Sequence, residues 1–509
     1  MTSHFKFYPG SSQVVFPANA MYTFPTQANK TVKTTPRIQP KNGATFTPGN
    51  TIRLEFPAQG YLNVNNTTLV FDVDIFGYTG TDNKGAVWIQ NNIQELFNRV
   101  RMLYGPTPLE DEIDYNVFVR LLTETTSSNN NNFDQCSINE GIAFTVASGL
   151  NPIPVHARSD YVHSRIAATF GVPNISGNSS RRRYQVQLML GMLTQTKLIP
   201  LKWMAAQLAI EITLEQAASC LMGMPNVNTT APGAAGTGTP TYQVSNISLL
   251  PEILEFDASY DAVFYKGLSE GGIPLVFNRL HTYQFSMSGA TANILIPERS
   301  RSVKYIFTII RRQAQSLAND SHVTFGAVAA NQTIDSFQYR VGGRYFPASP
   351  VQVSGALSGY SGANIGGCEA YVELAKCLNS LGDYKLSTAA NAGTWNPAYL
   401  GIADANVTST TVAESDGRYG YANVASPIKP TWPGASELGR STFCLATNLE
   451  TSNGAELAGL NAEEQSDISL QINWSGGTPP AAGDFLIQTF VLYDAIVVVK
   501  PNNVVELIE

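Results

Sequence analysis

Two clusters of imidazole and carboxylate groups, one serine motif and one run of arginines are the parts of this sequence that could do chemistry. His156, Asp160 and His163 would share one helix face at i, i+4 and i+7, a spacing that suits a divalent cation. Pro152 and Pro154 stand just before them and disrupt a regular helix, so no metal site is assigned. Among the acids Glu110, Asp111, Glu112 and Asp114, the pair Glu110 and Asp111 could supply a general acid and base, but it needs a cleft that nothing nearby suggests. They sit where a helical pattern begins, and the helix dipole favours acids there. Gly267-Leu-Ser269-Glu-Gly271 matches the GxSxG nucleophile elbow, which needs a strand before it and a helix after it. Here a helix-like segment precedes it and Gly272 and Pro274 follow, so a turn is the better reading. Arg181-Arg182-Arg183 could face nucleic acid, but arginines at a strand start are expected to pair with acids or a neighbouring subunit. The Gly233–Gly238 stretch has the wrong spacing for a dinucleotide fingerprint, and there is no P-loop and no HExxH. No catalytic, cofactor-binding or metal residue is therefore assigned, and no enzyme is expected.

The remaining candidates are bland. Cys136, Cys220, Cys368, Cys377 and Cys444 show no CxxC or zinc spacing and read as reduced packing thiols. Trp88, Trp203, Trp395, Trp432 and Trp474 are scattered without an adjoining acid pair, as a carbohydrate-active β-sandwich would require. That class is still the alternative to a structural protein.

Composition bounds the answer further. Charged residues are 14% of the 509, against roughly 25% in ordinary soluble domains. So little charge implies that neighbours cover much of the surface. A net charge of −7 excludes a chain that binds nucleic acid as a whole. The opening Met-Thr-Ser-His-Phe-Lys lacks the apolar stretch of a signal peptide, and no apolar run is long enough to span a membrane. The expectation is a protein made in the cytoplasm or nucleus and not secreted, with the sequons at Asn174 and Asn228 incidental.

The elements that would position these residues are mostly strands. Period-two alternation marks strands at 51–56, 67–78, 183–193, 208–214 and 247–256. A second set follows at 275–277, 281–287, 293–297, 303–311, 337–345, 441–447, 468–474 and 485–500. Leu109, Ile113, Val117 and Leu121 recur every fourth residue and predict a helix burying that face. Tyr371, Leu374, Ala375, Leu378 and Leu381 predict another over 369–381, and Tyr260–Leu268 a short crossing helix. Residues 1–50, with six prolines among Phe5, Phe7, Phe16, Tyr22 and Phe24, read as an extended arm that docks on its own subunit or a neighbour.

Tyr104-Gly-Pro106 and Tyr345-Phe-Pro347 lie about half a chain apart. Each ends a strand-like run and precedes a helical pattern, and the order of elements around them repeats. A feature recurring at half-length indicates duplication. We therefore expect an all-β chain of two tandem domains, each a β-sandwich or jelly roll of eight or so strands, with short accessory helices and long loops. The boundaries are an arm at 1–50, a first domain at 51–270 and a second at 271–509, and the resemblance given next makes both of them eight-stranded jelly rolls.

Asn98-Arg-Val-Arg-Met-Leu-Tyr-Gly-Pro-Thr-Pro-Leu-Glu-Asp111 resembles the first jelly roll of major capsid proteins from polinton-like viruses and virophages. Ile247–Phe256 with Tyr260–Leu268 is similar to the strand and helix that close that domain in the wider double jelly-roll lineage, which takes in large nucleocytoplasmic DNA viruses and adenovirus hexon. Val303–Arg312 and Phe337–Pro347 resemble strands of the second jelly roll. The resemblance implies a homotrimer forming a pseudo-hexagonal capsomer of an icosahedral DNA-virus shell. It implies long loops as outer towers, and contacts with neighbouring capsomers, penton and minor capsid proteins. The arm and the segment near Asn502–Glu509 would make some of these ties. Nucleic-acid contact is not expected, and an internal membrane is not assigned.

Overall fold

The computed structural model describes residues 31–76, 86–89, 93–126, 180–224, 241–286, 291–312, 334–353, 368–378, 444–451, 457–463, 467–474, 485–500 and 504–508. In the first half the strands are β1 (Thr31–Thr34), β2 (Thr45–Phe46), β3 (Thr51–Glu55), β4 (Tyr61–Phe76), β5 (Ala86–Ile89), β6 (Phe97–Tyr104), β7 (Thr107–Ile113), β8 (Ser180–Val186), β9 (Leu208–Leu214), β10 (Leu221–Met224) and β11 (Thr241–Phe256). In the second they are β12 (Ile273–Ser286), β13 (Thr291–Ile296), β14 (Val303–Arg312), β15 (Ile334–Val341), β16 (Arg344–Gln352), β17 (Leu445–Asn448), β18 (Ile468–Trp474), β19 (Phe485–Val499) and β20 (Val505–Ile508). Three helices of ten or more residues stand among them: α1 (Tyr115–Thr126), α2 (Ala258–Gly271) and α3 (Cys368–Cys377).

The two halves share one topology. In the second, one sheet runs β12-β19-β14-β17 and the other β13-β18-β15-β16. In the first, the sheets run β1-β11-β4-β8, with β2 also on β11, and β3-β9-β6-β7. Counting β1 and β2 as one interrupted strand, and setting aside the small β5–β10 ribbon and the extra strand β20 on β19, both halves read first-eighth-third-sixth and second-seventh-fourth-fifth. That is the jelly-roll order, met twice. All the strand pairs are antiparallel, and the long pairs β4–β11 and β12–β19 form the spine of each half.

Alternation explains the layering. Ile468, Leu470, Ile472 and Trp474 on β18 are buried, as are Leu208, Ile210, Ile212 and Leu214 on β9. Successive side chains point to opposite faces, so one set fills the space between the sheets. Fully burying such a side chain contributes about 1.5–3 kcal/mol. The buried apolar residues of both halves form one continuous cluster.

Several expectations need correction. Residues 1–30 of the expected arm lie outside the described residues; within 31–50 the chain docks on its own subunit as strands, β1 and β2 pairing with β11 and Ile38 with Leu249 between them. The helix predicted from Leu109 begins only at Tyr115, because residues 107–113 are claimed by the hairpin with β6. Asp114 separates the two elements at φ +54°. Leu109, Val117 and Leu121 are buried, but Ile113 is 45% exposed. The strand predicted over 337–345 is a hairpin turning at Gly342. The strand predicted over 183–193 covers only Ser180–Val186 and is followed by a single helical turn, Gly191–Thr194. Tyr104 precedes the first hairpin turn and Tyr345 follows the second, so the two tyrosines are not equivalent; the hairpins are. Leu378 is partly buried against the core, and Leu381 lies outside the described residues.

Candidate functional site

The polar residues with the most unusual surroundings lie where the two halves meet. On β7 the chain bulges at Leu109, so that Leu109 and Glu110 are both buried. Glu110 and Glu112 then fall on the same face, two apart. They are 0% and 3% exposed and point toward the second half.

Each carboxylate is perturbed by its place. Glu110 accepts the Gly191 N–H at 2.5 Å and the Met192 N–H at 3.2 Å, at the start of the single helical turn. Burial pushes its carboxyl up to about 7, against the pull of those two donors and of the Arg279 charge. Burial and the neighbouring Glu110 charge push Glu112 well above the ordinary range. Arg279, on β12 of the second half and itself only 7% exposed, supplies the opposing charge to both. The main chain closes tightly here: a Cβ on Gly191 would lie 1.7 Å from the Asn278 carbonyl oxygen of β12.

The network continues into the second half. The Arg279 guanidinium lies 5.8 Å from the centroid of the Tyr493 ring. The Tyr493 hydroxyl meets His281 Nε2 at 2.8 Å, and His281 Nδ1 meets Glu298 Oε2 at 2.9 Å. Burial opposes ionisation of Glu298, but His281 and the N–H and hydroxyl of Ser300 hold its carboxyl below the ordinary range. Burial pushes the Tyr493 phenol up, so it stays protonated.

A second set of contacts crosses alongside. The Thr282 hydroxyl donates to the Ile113 carbonyl at 3.0 Å. Gln488 Nε2 donates to Asp114 Oδ2 at 2.8 Å, and Gln284 Nε2 donates to the same oxygen. Phe118 of α1 packs its ring 5.4 Å from that of Phe490 on β19. Apolar contact, charge and main-chain hydrogen bonds thus fix how one sandwich lies on the other.

This arrangement suits a lock better than a reaction. A general acid must reach a substrate, and Glu110 and Glu112 are sealed between the sandwiches. Removing one partner from such a buried group leaves an uncompensated charge, which is why the set is held together.

The other sequence candidates fare as follows. Arg181 and Arg183 both bond the buried Asp72, at 2.7 Å each for their shortest contacts, as pairing with an acid predicts. Burial works against the Asp72 carboxylate, but both guanidinium groups and Asn246 hold it down at about 2. Ser269 lies inside α2, not on a turn, and donates to the Lys266 carbonyl. Cys220, Cys377 and Cys444 are buried thiols and Cys368 is exposed. His156, Asp160, His163, Gly233–Gly238, Cys136, Trp395 and Trp432 lie outside the described residues. Among the described residues, no cluster of three His, Cys, Asp or Glu is placed to hold a metal, and no helix is long and apolar enough to cross a membrane. Sequence reasoning missed Arg279, His281 and Tyr493. The usable signal was the Gly-Pro turn at Gly105-Pro106, which makes 107–113 a strand and places Glu110 and Glu112 on one face.

No family model and no curated protein matches the chain. Solved structures do share its fold. A chain of the Sputnik virophage, solved by electron cryomicroscopy, matches with a TM-score of 0.55 at 11% identity, over 99% of this chain and 94% of that one. VP54 of PBCV-1, fitted into a reconstruction of Sputnik, matches at 0.51 and 11% identity, over 95% and 98%. The mavirus major capsid protein matches at 0.50 and 8% identity, over 98% and 96%. The common fold is two jelly rolls in tandem.

Proposed function

We propose that this chain is a structural major capsid protein of an icosahedral DNA virus and acts in the virion shell. One observation carries the reading: the match to the virophage and PBCV-1 chains runs over more than nine-tenths of both partners, across both jelly rolls. A domain likeness alone would fit many functions, but a tandem duplication with a fixed seam is a more particular object. The division falls between residues 270 and 271, at the end of α2, with the first jelly roll starting at β1.

The same reading has three chains forming a pseudo-hexagonal capsomer, because each chain supplies two lobes of one topology. Low charge favours such association, since obligate interfaces are large and apolar. Neighbouring capsomers, penton and minor capsid proteins are the further partners. The two tryptophan side chains among the described residues do not favour a carbohydrate-binding role, since Trp474 is buried and Trp203 packs on Tyr265 at 5.5 Å.

Size-exclusion chromatography with light scattering tests the assembly. The expected result is three chains' mass at micromolar concentration, and shells by electron microscopy on co-expression with partner proteins. A stable monomer that never forms particles overturns the reading.

A further inference from the structure

A buried amine on β14 stands among groups that a plain ion pair does not need. The ladder between β14 and β19 steps from Val303–Tyr493 to Tyr305–Leu492, which leaves Lys304 as the extra residue of a bulge. A bulge re-aims a side chain, and Val303, Lys304 and Tyr305 are buried in succession. Lys304 Nζ lies 2.8 Å from Asp494 Oδ1 on β19 and 3.5 Å from Oε1 of Glu450, which follows β17. The side chains are 10% exposed at Lys304 and 1% at each acid. Lys304 Nζ also meets Asn278 Oδ1 of β12 at 3.5 Å, but Asn278 is an exposed residue.

Each acid is held by its own donor. The Ser302 hydroxyl donates to Asp494 Oδ2 at 2.8 Å and itself accepts the Gly459 N–H at 3.0 Å. The Tyr305 hydroxyl donates to Glu450 Oε2 at 2.6 Å, and the Glu450 N–H donates to Asn448 Oδ1 at 2.7 Å. A Cβ on Gly459 would lie 2.5 Å from the Ser302 carbonyl carbon, so the chain closes over Ser302 at a glycine. An ion pair accounts for one acid. Two acids and an oriented hydroxyl around one amine are the parts of an acyl transfer.

We propose that Lys304 and Asp494 join in an intramolecular isopeptide bond, with Glu450 as the proton carrier. The amine lone pair forms the C–N bond to Asp494 Cγ, and the bond from Cγ to Oδ1 breaks with its electron pair leaving on oxygen. One of the three ammonium hydrogens stays on the amide nitrogen. The other two pass by way of Glu450 to the departing oxygen, which leaves as water. Glu450 ends as it began, the charges of Lys304 and Asp494 cancel, and no oxidant or cofactor is consumed. Negative charge developing on Oδ2 meets the Ser302 hydroxyl. Joining an ammonium to a carboxylate is uphill in water, but groups fixed in contact react with effective molarities of about 10⁵–10⁸ M. The bond staples the third strand of the second jelly roll to its eighth, whatever role the chain has in a shell.

Mass spectrometry of the full-length protein, denatured and then digested with trypsin, tests it. The expected result is a chain lighter than its sequence by one water, about 18 Da, and a branched peptide in which Lys304 is joined to Asp494 and is not cut. Linear peptides at both positions overturn the proposal. So does the loss of one ammonia with Lys304 joined to Asn278. Glu450→Gln keeps the amine and its target and should leave most of the chain unjoined, with circular dichroism checking that it folds. A variant joined as fully as the parent overturns the role of Glu450. The parent's own peptides decide the bond even where that variant does not fold.

Discussion

Gly105 and Gly342 occupy the same hairpin turn in the two halves, at φ +57° and +58°. Each closes the fourth strand onto the fifth, β6 onto β7 and β15 onto β16. A left-handed residue other than glycine costs about 1–2 kcal/mol. At Gly105 an added Cβ would also come 3.2 Å from the Ala206 Cβ. Urea unfolding should therefore show Gly342→Ala losing about 1–2 kcal/mol and Gly105→Ala at least as much. Equal stability to the parent at both positions would mean that the turns relax freely.

The seam should make stability depend on pH. Glu110 titrates near 4.5 when unfolded and at about 7 when folded. Between those values the folded protein binds more protons, so this contribution is complete below 4.5 and is lost as pH rises through 7. Asp72 and Glu298, shifted the other way, are ionised throughout pH 6–8 and do not mask it. The melting temperature should fall from pH 6 to pH 8, and Glu110→Gln/Glu112→Gln should flatten that fall. An unchanged slope in the double variant would remove these groups from the account.

Arg279 should be the costliest single polar residue to lose at the seam. Arg279→Met removes the opposing charge that favours the ionised acids, and a loss of about 3–5 kcal/mol is expected at pH 8, where Glu110 is ionised, and a smaller one at pH 6. Urea unfolding measures it, and a loss under about 1 kcal/mol would show that water replaces the guanidinium.

By contrast, the arginines on β8 should matter little. Their side chains are 51% and 60% exposed at Arg181 and Arg183, and salt screens such pairs. Arg181→Ala should cost about 0.2–1 kcal/mol and Arg183→Ala should change stability little, both effects shrinking in 1 M salt. Asp72→Asn should cost more than either, since one buried carboxylate serves both arginines and Asn246.

Truncation and helix variants separate core from surface. Deleting 2–45 removes β1 and strips one side of β11, so folded protein should be lost, whereas deleting 2–30 spares every described strand. Leu121→Ala and Leu374→Ala should each cost about 2–5 kcal/mol. Ile113→Ala should stay within about 0.5 kcal/mol, because the side chain is largely solvated. Circular dichroism with urea unfolding reads all five; a folded protein lacking residues 2–30 that melts far below the parent would return the N-terminal residues to the core.

The sequence by itself determined the all-β class, the duplication, and strands such as 208–214 and 468–474, because alternation is a local signal that burial enforces residue by residue. For Arg181 and Arg183 it left acids and a neighbouring subunit both open as partners, and only the pairing of β8 with β4 brought them to Asp72. Only the tertiary structure decided that Leu109 belongs to a strand and Val117 to a helix. The four-residue spacing is compatible with both until β6 claims 107–113 by hydrogen bonding. It alone made 31–46 a strand, because these residues pair with Ile253 and Val244, some two hundred positions on. And it alone brought Glu110 and Glu112 against Arg279. Nothing in either local stretch encodes that meeting, which exists only because two sandwiches, each folded on its own pattern, press their edges together.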